Sequence, residues 1–120
     1  MKIVINERTP LLNEMLREHF RRRKERKQRY HFEILSQNPR KFKGKVNVRI
    51  TRYSSAVPDP DGVAGGSKDI LDALVDAGVI SDDNMRIIQD FSVNWKKCKQ
   101  KEQRTEIEIH EYTETNKDQK

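Results

Sequence analysis

VNVRITRYSSAVPDPDGVAGGSKDILDALVDAG, residues 46–78, holds three patterns in succession, and their order decides the fold class. Val46, Val48 and Ile50 alternate with Asn47, Arg49 and Thr51, the period-two signature of a strand with one apolar face. Ser54 to Ser67 then carries two prolines, three glycines and two aspartates, which reads as a loop. After it Ile70, Leu71, Leu74 and Val75 recur at helical spacing. Gly66 or Ser67 is placed to cap the start of that helix and Gly78 to end it, and Asp69 suits the positive end of its dipole.

Working outward, Lys2 to Asn6 alternates polar and apolar residues and predicts a first strand that ends at Thr9-Pro10. Leu12, Met15, Leu16 and Phe20, then Tyr30, Ile34 and Leu35, predict one or two helices between about Asn13 and Ser36, stopped by Asn38-Pro39. Beyond the turn at Ser81 to Asn84, two strands are expected near Ile87 to Trp95 and Thr105 to Tyr112, joined by the charged stretch Lys96 to Arg104. The order strand, helix, strand, loop, helix, strand, strand describes one α+β domain over residues 1–112, with helices packed on one face of a mixed sheet of about four strands. Residues 113–120 are expected to form a polar, disordered tail.

Of the 120 residues only 33% are hydrophobic while 37% are charged, so the core must be thin or its apolar face completed by a second subunit; a homodimer is the expectation. No apolar run approaches the roughly 18 residues that cross a bilayer, and MKIVINERTP lacks the apolar segment of an export signal, so the expected setting is a soluble protein of the cytoplasm. The single cysteine, Cys98, forbids an internal disulfide and cannot build a zinc site alone, in keeping with that compartment.

The net charge of +6 conceals a division. Residues 1–53 carry sixteen Lys/Arg against five Asp/Glu, residues 54–85 one against seven, and residues 86–120 eight against seven. Segregation of this kind points to a basic surface for a polyanion beside a concentrated acidic site, and nucleic acid with a divalent cation satisfies both. In the basic part Arg21, Arg22, Arg23, Lys24, Arg26, Lys27 and Arg29 place seven cations in nine residues, more than the few nearby acids can pair, so they should face solvent or DNA phosphates. Lys41, Lys43, Lys45, Arg49 and Arg52 extend the expected DNA-binding track.

In the acidic part Asp59-Pro60-Asp61-Gly62 and Asp82-Asp83 bracket the helix, and they can meet only if the glycine-rich stretch folds back over one helix end. Clustered carboxylates repel, and a bound cation is the usual compensation. Magnesium takes oxygen ligands and keeps several waters, which suits phosphodiester cleavage. Lys68, the one basic residue between Ser54 and Met85, lies four positions before Asp72 and so on the same helical side, where it could stabilise a transition-state phosphate. An EF-hand is excluded, because counting from Asp59 places Val63, Ala64 and Ile70 where that loop needs an oxygen ligand, a glycine and a glutamate. The spacing alone leaves open a second reading, in which the aspartates only make Asx turns and helix ends. His19, His31 and His110 show no metal-ligand spacing, and Phe91 and Trp95 read as core or interface residues.

The span PDPDGVAGGSKDILDALVDAGVISDD, residues 58–83, resembles the signature of the RusA family of Holliday-junction resolvases: an acidic D-x-D-N, a lysine shortly after, a D-A-L helix, A-G, then paired aspartates. Thr9-Pro10-Leu11-Leu12-Asn13, leading into the Arg/Lys-rich helix, resembles that family's opening. The resemblance implies that Asp59, Asp61 and Asp83 bind Mg2+, with Mn2+ as a substitute, and that Lys68 is the catalytic lysine. It further implies a homodimer, of a kind found in prophages, that resolves four-way DNA junctions in recombination and repair by paired, symmetric nicks. The sequence departs from the pattern twice: Gly62 stands where asparagine is expected, and about three extra residues separate Asp61 from Lys68. Both departures keep a non-catalytic branched-DNA-binding protein of the same fold as the alternative.

Overall fold

A computed structural model describes residues 1–113, so the expected tail from residue 114 onward lies outside the described residues. Strand β1 (Lys2–Ile5) is followed by helices α1 (Leu12–Arg17) and α2 (Phe20–Ser36) and strand β2 (Val46–Ser54). Helices α3 (Pro60–Gly66) and α4 (Lys68–Asp76) come next, then strand β3 (Ile88–Lys97), a single 3-10 turn at Gln100–Glu102 and strand β4 (Arg104–Glu111). The four strands form one mixed sheet in the order β1-β4-β2-β3, antiparallel at β1/β4 and β4/β2 and parallel at β2/β3. Because β2 and β3 run parallel, the chain must cross from one end of the sheet to the other between them, and α3 and α4 make that crossing.

Register explains why one sheet face is apolar and the other polar. Ile3, Ile107 and Ile50 stand side by side across three strands, and Val48 pairs with Ile109. All five are buried in a core that also takes Tyr30 and Ile34 from α2 and Ile70, Ala73 and Leu74 from α4. On the opposite face Arg49 and Lys2 flank Glu108, and the Lys2 ammonium reaches Glu106 at 2.9 Å. Opposite charges directly across strands are favourable pairs, so this face is stable in water without a helical cover. The α+β class, the four-stranded mixed sheet and the helices over one face are as the sequence patterns lead one to expect.

One local expectation needs correction, and two others gain detail. The stretch from Ser54 to Ser67 is not a plain loop: β2 continues to Ser54, and Pro60 to Gly66 is helical. Pro60 occupies the first helical position, where its fixed φ suits the helix and its missing N–H costs nothing. The glycines disfavour helix locally, but they let α3 press against the start of α1. A Cβ on Gly66 would stand 1.7 Å from the Pro10 carbonyl oxygen, and one on Gly65 would stand 2.8 Å from the Leu12 Cβ. Ser67 is the N-cap residue of α4 as expected, but its side chain makes no capping bond; its hydroxyl donates to the Ala64 carbonyl at 2.7 Å. Of the one or two helices expected between about Asn13 and Ser36 there are two, because Glu18 and His19 are extended and the His19 Nδ1 accepts from the Arg21 amide at 3.2 Å, restarting the helix.

Gly78 does end α4 as expected. Its φ of 75° is left-handed, with Gly78 N donating to Val75 O and Val79 N to Leu74 O, each 2.9 Å, which is the Schellman arrangement. Among the described residues no helix is long and apolar enough to cross a membrane.

Candidate active site and basic surface

The candidate acids fall into two groups. Asp59 is the N-cap residue of α3 and Asp61 lies in its first turn. Both are exposed, and together with Pro60, Gly62 and α1 residues Leu12, Asn13 and Leu16 they line a depression of about 500 Å³ that Leu11 also borders. Neither carboxylate has a hydrogen bond or ion pair among the described residues, and Asp59 makes no side-chain capping bond. The Asx-turn reading therefore fails for this pair, since such a turn would use the carboxylate to accept a backbone N–H.

Asp83 lies elsewhere on the surface. It borders a depression of about 250 Å³ with Lys27, Asp72, Val75 and Asp76, and a second one with Leu71, Asn84 and Met85. Asp82 shapes the turn that presents it, accepting from the Asp83 amide at 2.7 Å and from the Asn84 side chain at 3.0 Å. Asp82 is thus the turn residue and Asp83 the one that faces the lysine. Lys68 Nζ stands 3.0 Å from Asp72 Oδ1 and 3.5 Å from Asp83 Oδ2, while Lys27 Nζ meets the other Asp72 oxygen at 3.0 Å.

This pattern of charges sets the protonation states. The hydrogen bond to Asp72, with the field of Asp72 and Asp83, raises the Lys68 ammonium above its ordinary pKa of 10.5. Burial alone would raise the Asp72 carboxyl; the bonds from Lys27 and Lys68 outweigh it and hold Asp72 below its ordinary 3.8. Lys68 is consequently a cation at neutral pH, fit to hold a phosphate oxygen and unfit to act as a general base.

The structure places both Asp72 and Asp83 against the Lys68 ammonium. It does not collect Asp59, Asp61 and Asp83 into one cluster: among the described residues no three His, Cys, Asp or Glu side chains are grouped to hold a metal ion. Asp59 and Asp61 offer hard oxygen donors with no partner among the described residues, the donor type that Mg2+ takes, commonly as one or two carboxylates with waters and substrate phosphates filling the rest of its shell.

The basic helix is only partly free. Arg23 Nε donates to Asp69 Oδ1 at 2.8 Å and Arg26 Nη1 to Asp69 Oδ2 at 2.9 Å, with Asp69 fully buried. Arg26 also clasps Glu18 through both of its terminal nitrogens, which holds Glu18 below the ordinary carboxylate value. Lys27 pairs with Asp72, and Arg29 with Glu7 at 3.0 Å. The expectation that these cations exceed the available acids is thus corrected for four of the seven. Their partners come from α4, from the segment after β1 and from the break between α1 and α2, and all but Glu18 are distant in sequence. Arg23, Arg26 and Lys27 are consequently tied to the fold, and Asp69 is a buried anchor more than a partner of the helix dipole.

Arg21, Arg22 and Lys24 remain exposed with no ion pair among the described residues. Lys41 and Lys43 are also exposed, on the loop before β2, whose Phe42 is buried and donates its amide to the Val79 carbonyl at 2.8 Å. Arg49 is exposed on the polar sheet face, whereas Arg52, also expected on the basic track, is 3% exposed and turned inward. Its even-numbered position in β2, six residues after Val46, is the sequence signal that could have placed it there. His19 and Trp95 have structural uses: His19 caps α2, and the Trp95 indole donates to Ser54 Oγ at 2.9 Å. Compared with known proteins, the chain matches no family model and no curated protein sequence.

Proposed function

We propose that this chain is a Mg2+-dependent endonuclease that resolves four-way DNA junctions, as its resemblance to the RusA resolvases implies. The observation that supports the reading best is the disposition of residues 59–83. Two unpartnered carboxylates, Asp59 and Asp61, open a short helix that leads directly into Lys68, whose ammonium lies between Asp72 and Asp83. On this reading Asp59 and Asp61 are the principal ligands. Asp83, 3.5 Å from Lys68, is the third acid that the resemblance names.

A bound Mg2+ supplies polarisation of the scissile phosphate and a water of lowered pKa. The chain's own residues do the rest. Lys68, protonated throughout the neutral range, neutralises charge on a nonbridging or departing oxygen of the phosphate. Arg21, Arg22, Lys24, Lys41 and Lys43 hold duplex arms by their phosphates, which gives affinity for branched shape without reading bases. A homodimer belongs to this reading, since two symmetric nicks are most simply made by two related sites. So does a bacterial or phage-infected cytoplasm, where junctions arise.

The test is a labelled synthetic junction incubated with the protein, with and without magnesium. Paired symmetric nicks are expected from the parent. Asp61→Asn and Asp83→Asn should lose cleavage while still shifting the junction in a gel, and unchanged cutting by both variants would sink the assignment. One observation favours a second reading, a branched-DNA-binding protein without chemistry: the three acids are not grouped, and Gly62 puts no polar side chain beside Asp61. That protein would bind junctions with steep salt dependence and leave them intact in magnesium.

A further inference from the structure

Arg52 is a buried cation with no carboxylate bonded to it among the described residues, although Glu14 lies near enough to act on it electrostatically. It is 3% exposed. Its Nε donates to the Thr9 carbonyl at 2.9 Å and its Nη1 to Ser54 Oγ at 2.7 Å. A guanidinium carries five N–H donors, so most of its capacity is left over. Burying a charge without a counter-charge is costly, and a fold that tolerates it commonly does so for a ligand. Burial, reinforced by the positive charge of Arg8 and only partly offset by the field of Glu14, lowers the Arg52 pKa from its ordinary 12.5.

Arg52 does not point into a sealed core. It lines an open depression of about 300 Å³ with Arg8, Leu11, Glu14, Ser54, Ser55, Pro58 and Gln103 among its walls. The donors converge there. Arg8 stands at the rim with its side chain 38% exposed, and Gln103, whose Oε1 accepts from the Ser55 amide at 3.1 Å, has its side-chain NH2 to spare. The one acid in the wall, Glu14, is already used twice: its Oε1 accepts the Leu11 amide at 3.0 Å and an Arg8 nitrogen at 3.3 Å. Two guanidiniums against one engaged carboxylate leave the depression electropositive. Its location adds meaning, because Leu11 borders both this depression and the one that holds Asp59 and Asp61, and Pro58 in its wall is the residue before Asp59.

We propose that Arg52 and Arg8 form a phosphate-binding site, with Arg52 as its fixed floor and Arg8 as its movable rim. Resting on the nucleic-acid reading above, the phosphate is a backbone phosphodiester next to the one presented to Asp59 and Asp61. A site of this kind would place the strand along the two depressions, so that one phosphate is gripped while its neighbour meets the carboxylates. Planar guanidinium forks suit phosphate oxygens better than ammonium groups do, which is why the pair is made of arginines.

The test uses the whole chain and three proteins: the parent, Arg8→Gln, which alters only the rim, and Arg52→Lys, which keeps the charge of the floor and loses the fork. Inorganic phosphate at millimolar concentration is titrated while amide NMR signals of Ser54, Ser55 and Gln103 are followed, and junction binding is measured across a salt series. Saturable shifts of those signals are expected in the parent and should be lost in Arg8→Gln. The slope of log K against log salt should fall by about 0.9 in Arg8→Gln, the loss of one phosphate contact. Arg52→Lys, if folded by its amide spectrum, should weaken phosphate several-fold. Phosphate shifts in the parent with an unchanged DNA slope in Arg8→Gln would keep the anion site and overturn the phosphodiester as its ligand. Absence of shifts together with an unchanged slope would overturn the site itself. Junctions that fail to bind the parent, with the phosphate shifts intact, would instead refute the nucleic-acid reading.

Discussion

Replacing Asp69 by alanine should unfold this protein more readily than any other single change to its charged surface or core margin. Asp69 sits at the second position of α4 with none of its side chain exposed, and it accepts from Arg23 at 2.8 Å and from Arg26 at 2.9 Å. Arg26 is itself only 8% exposed and also holds Glu18, so one carboxylate fastens α2 to α4 and, through Glu18, to the end of α1. Removing one member of a buried ion pair leaves its partners desolvated, at a cost of about 3–5 kcal/mol. The partial exposure of Arg23 and the surviving Glu18 contact place Asp69→Ala at the lower end of that range. With a urea slope of about 1–3 kcal/mol per molar for a domain of this size, the unfolding midpoint should fall by at least about 1 M. Urea titrations followed by circular dichroism and by Trp95 fluorescence measure it. Asp72→Asn is the internal comparison, because Asp72 is partly exposed and its lysine pairs reach solvent; it should cost about 1 kcal/mol or less. Equal midpoints for the two variants would refute the idea that Asp69 is the anchor of the helical layer.

Glycine substitutions should separate by geometry: Gly66→Ala drives a Cβ into the Pro10 carbonyl and should cost at least about 1–3 kcal/mol, whereas Gly62→Ala, 3.4 Å from the Leu11 side chain, should be tolerated, both read by thermal melts. Gly78→Ala, forced to a φ of 75°, should cost about 1–2 kcal/mol in the same assay. Glu18 and Asp72 have folded pKa values below their ordinary 4.5 and 3.8, so the stability they supply is present above those values and is lost as the pH falls through the lower folded ones. Urea midpoints should therefore drop on acidification below about pH 4 and, in the Asp72→Asn variant, drop less. Arg21→Gln, Arg22→Gln and Lys24→Gln combined should flatten the salt dependence of junction binding with little change in melting temperature, while Arg26→Gln should lower the melting temperature first.

Much of the fold is legible in the chain because it depends on neighbours a few residues apart. Ile3 and Ile5, Val46, Val48 and Ile50, and the stripe Ile70, Leu74 repeat with the periods of strand and helix, and Gly78 marks a helix end whose left-handed residue only glycine adopts cheaply. Lys68 and Asp72 meet because four residues make about one helical turn. Even the polar outer sheet face could be read from the alternation of β2.

What tertiary structure alone decided is every matter settled by residues far apart in sequence. A cluster of arginines looks unpaired until Glu7, Asp69 and Asp72 arrive from other elements, and then Arg23, Arg26, Lys27 and Arg29 become ties within the fold. A glycine-rich stretch looks like a loop until Pro10 and Leu12 supply a surface against which only glycine can pack, and that contact offsets the poor helix propensity of Gly65 and Gly66. The aspartates on either side of α4 share a charge and a motif, but their distance depends on how α3 folds back, and it leaves Asp59 and Asp61 in one depression and Asp83 beside Lys68 in another. Periodicity sets which way a side chain faces; only the packed chain sets whom it meets, because burial and pairing energies depend on distances that close through space.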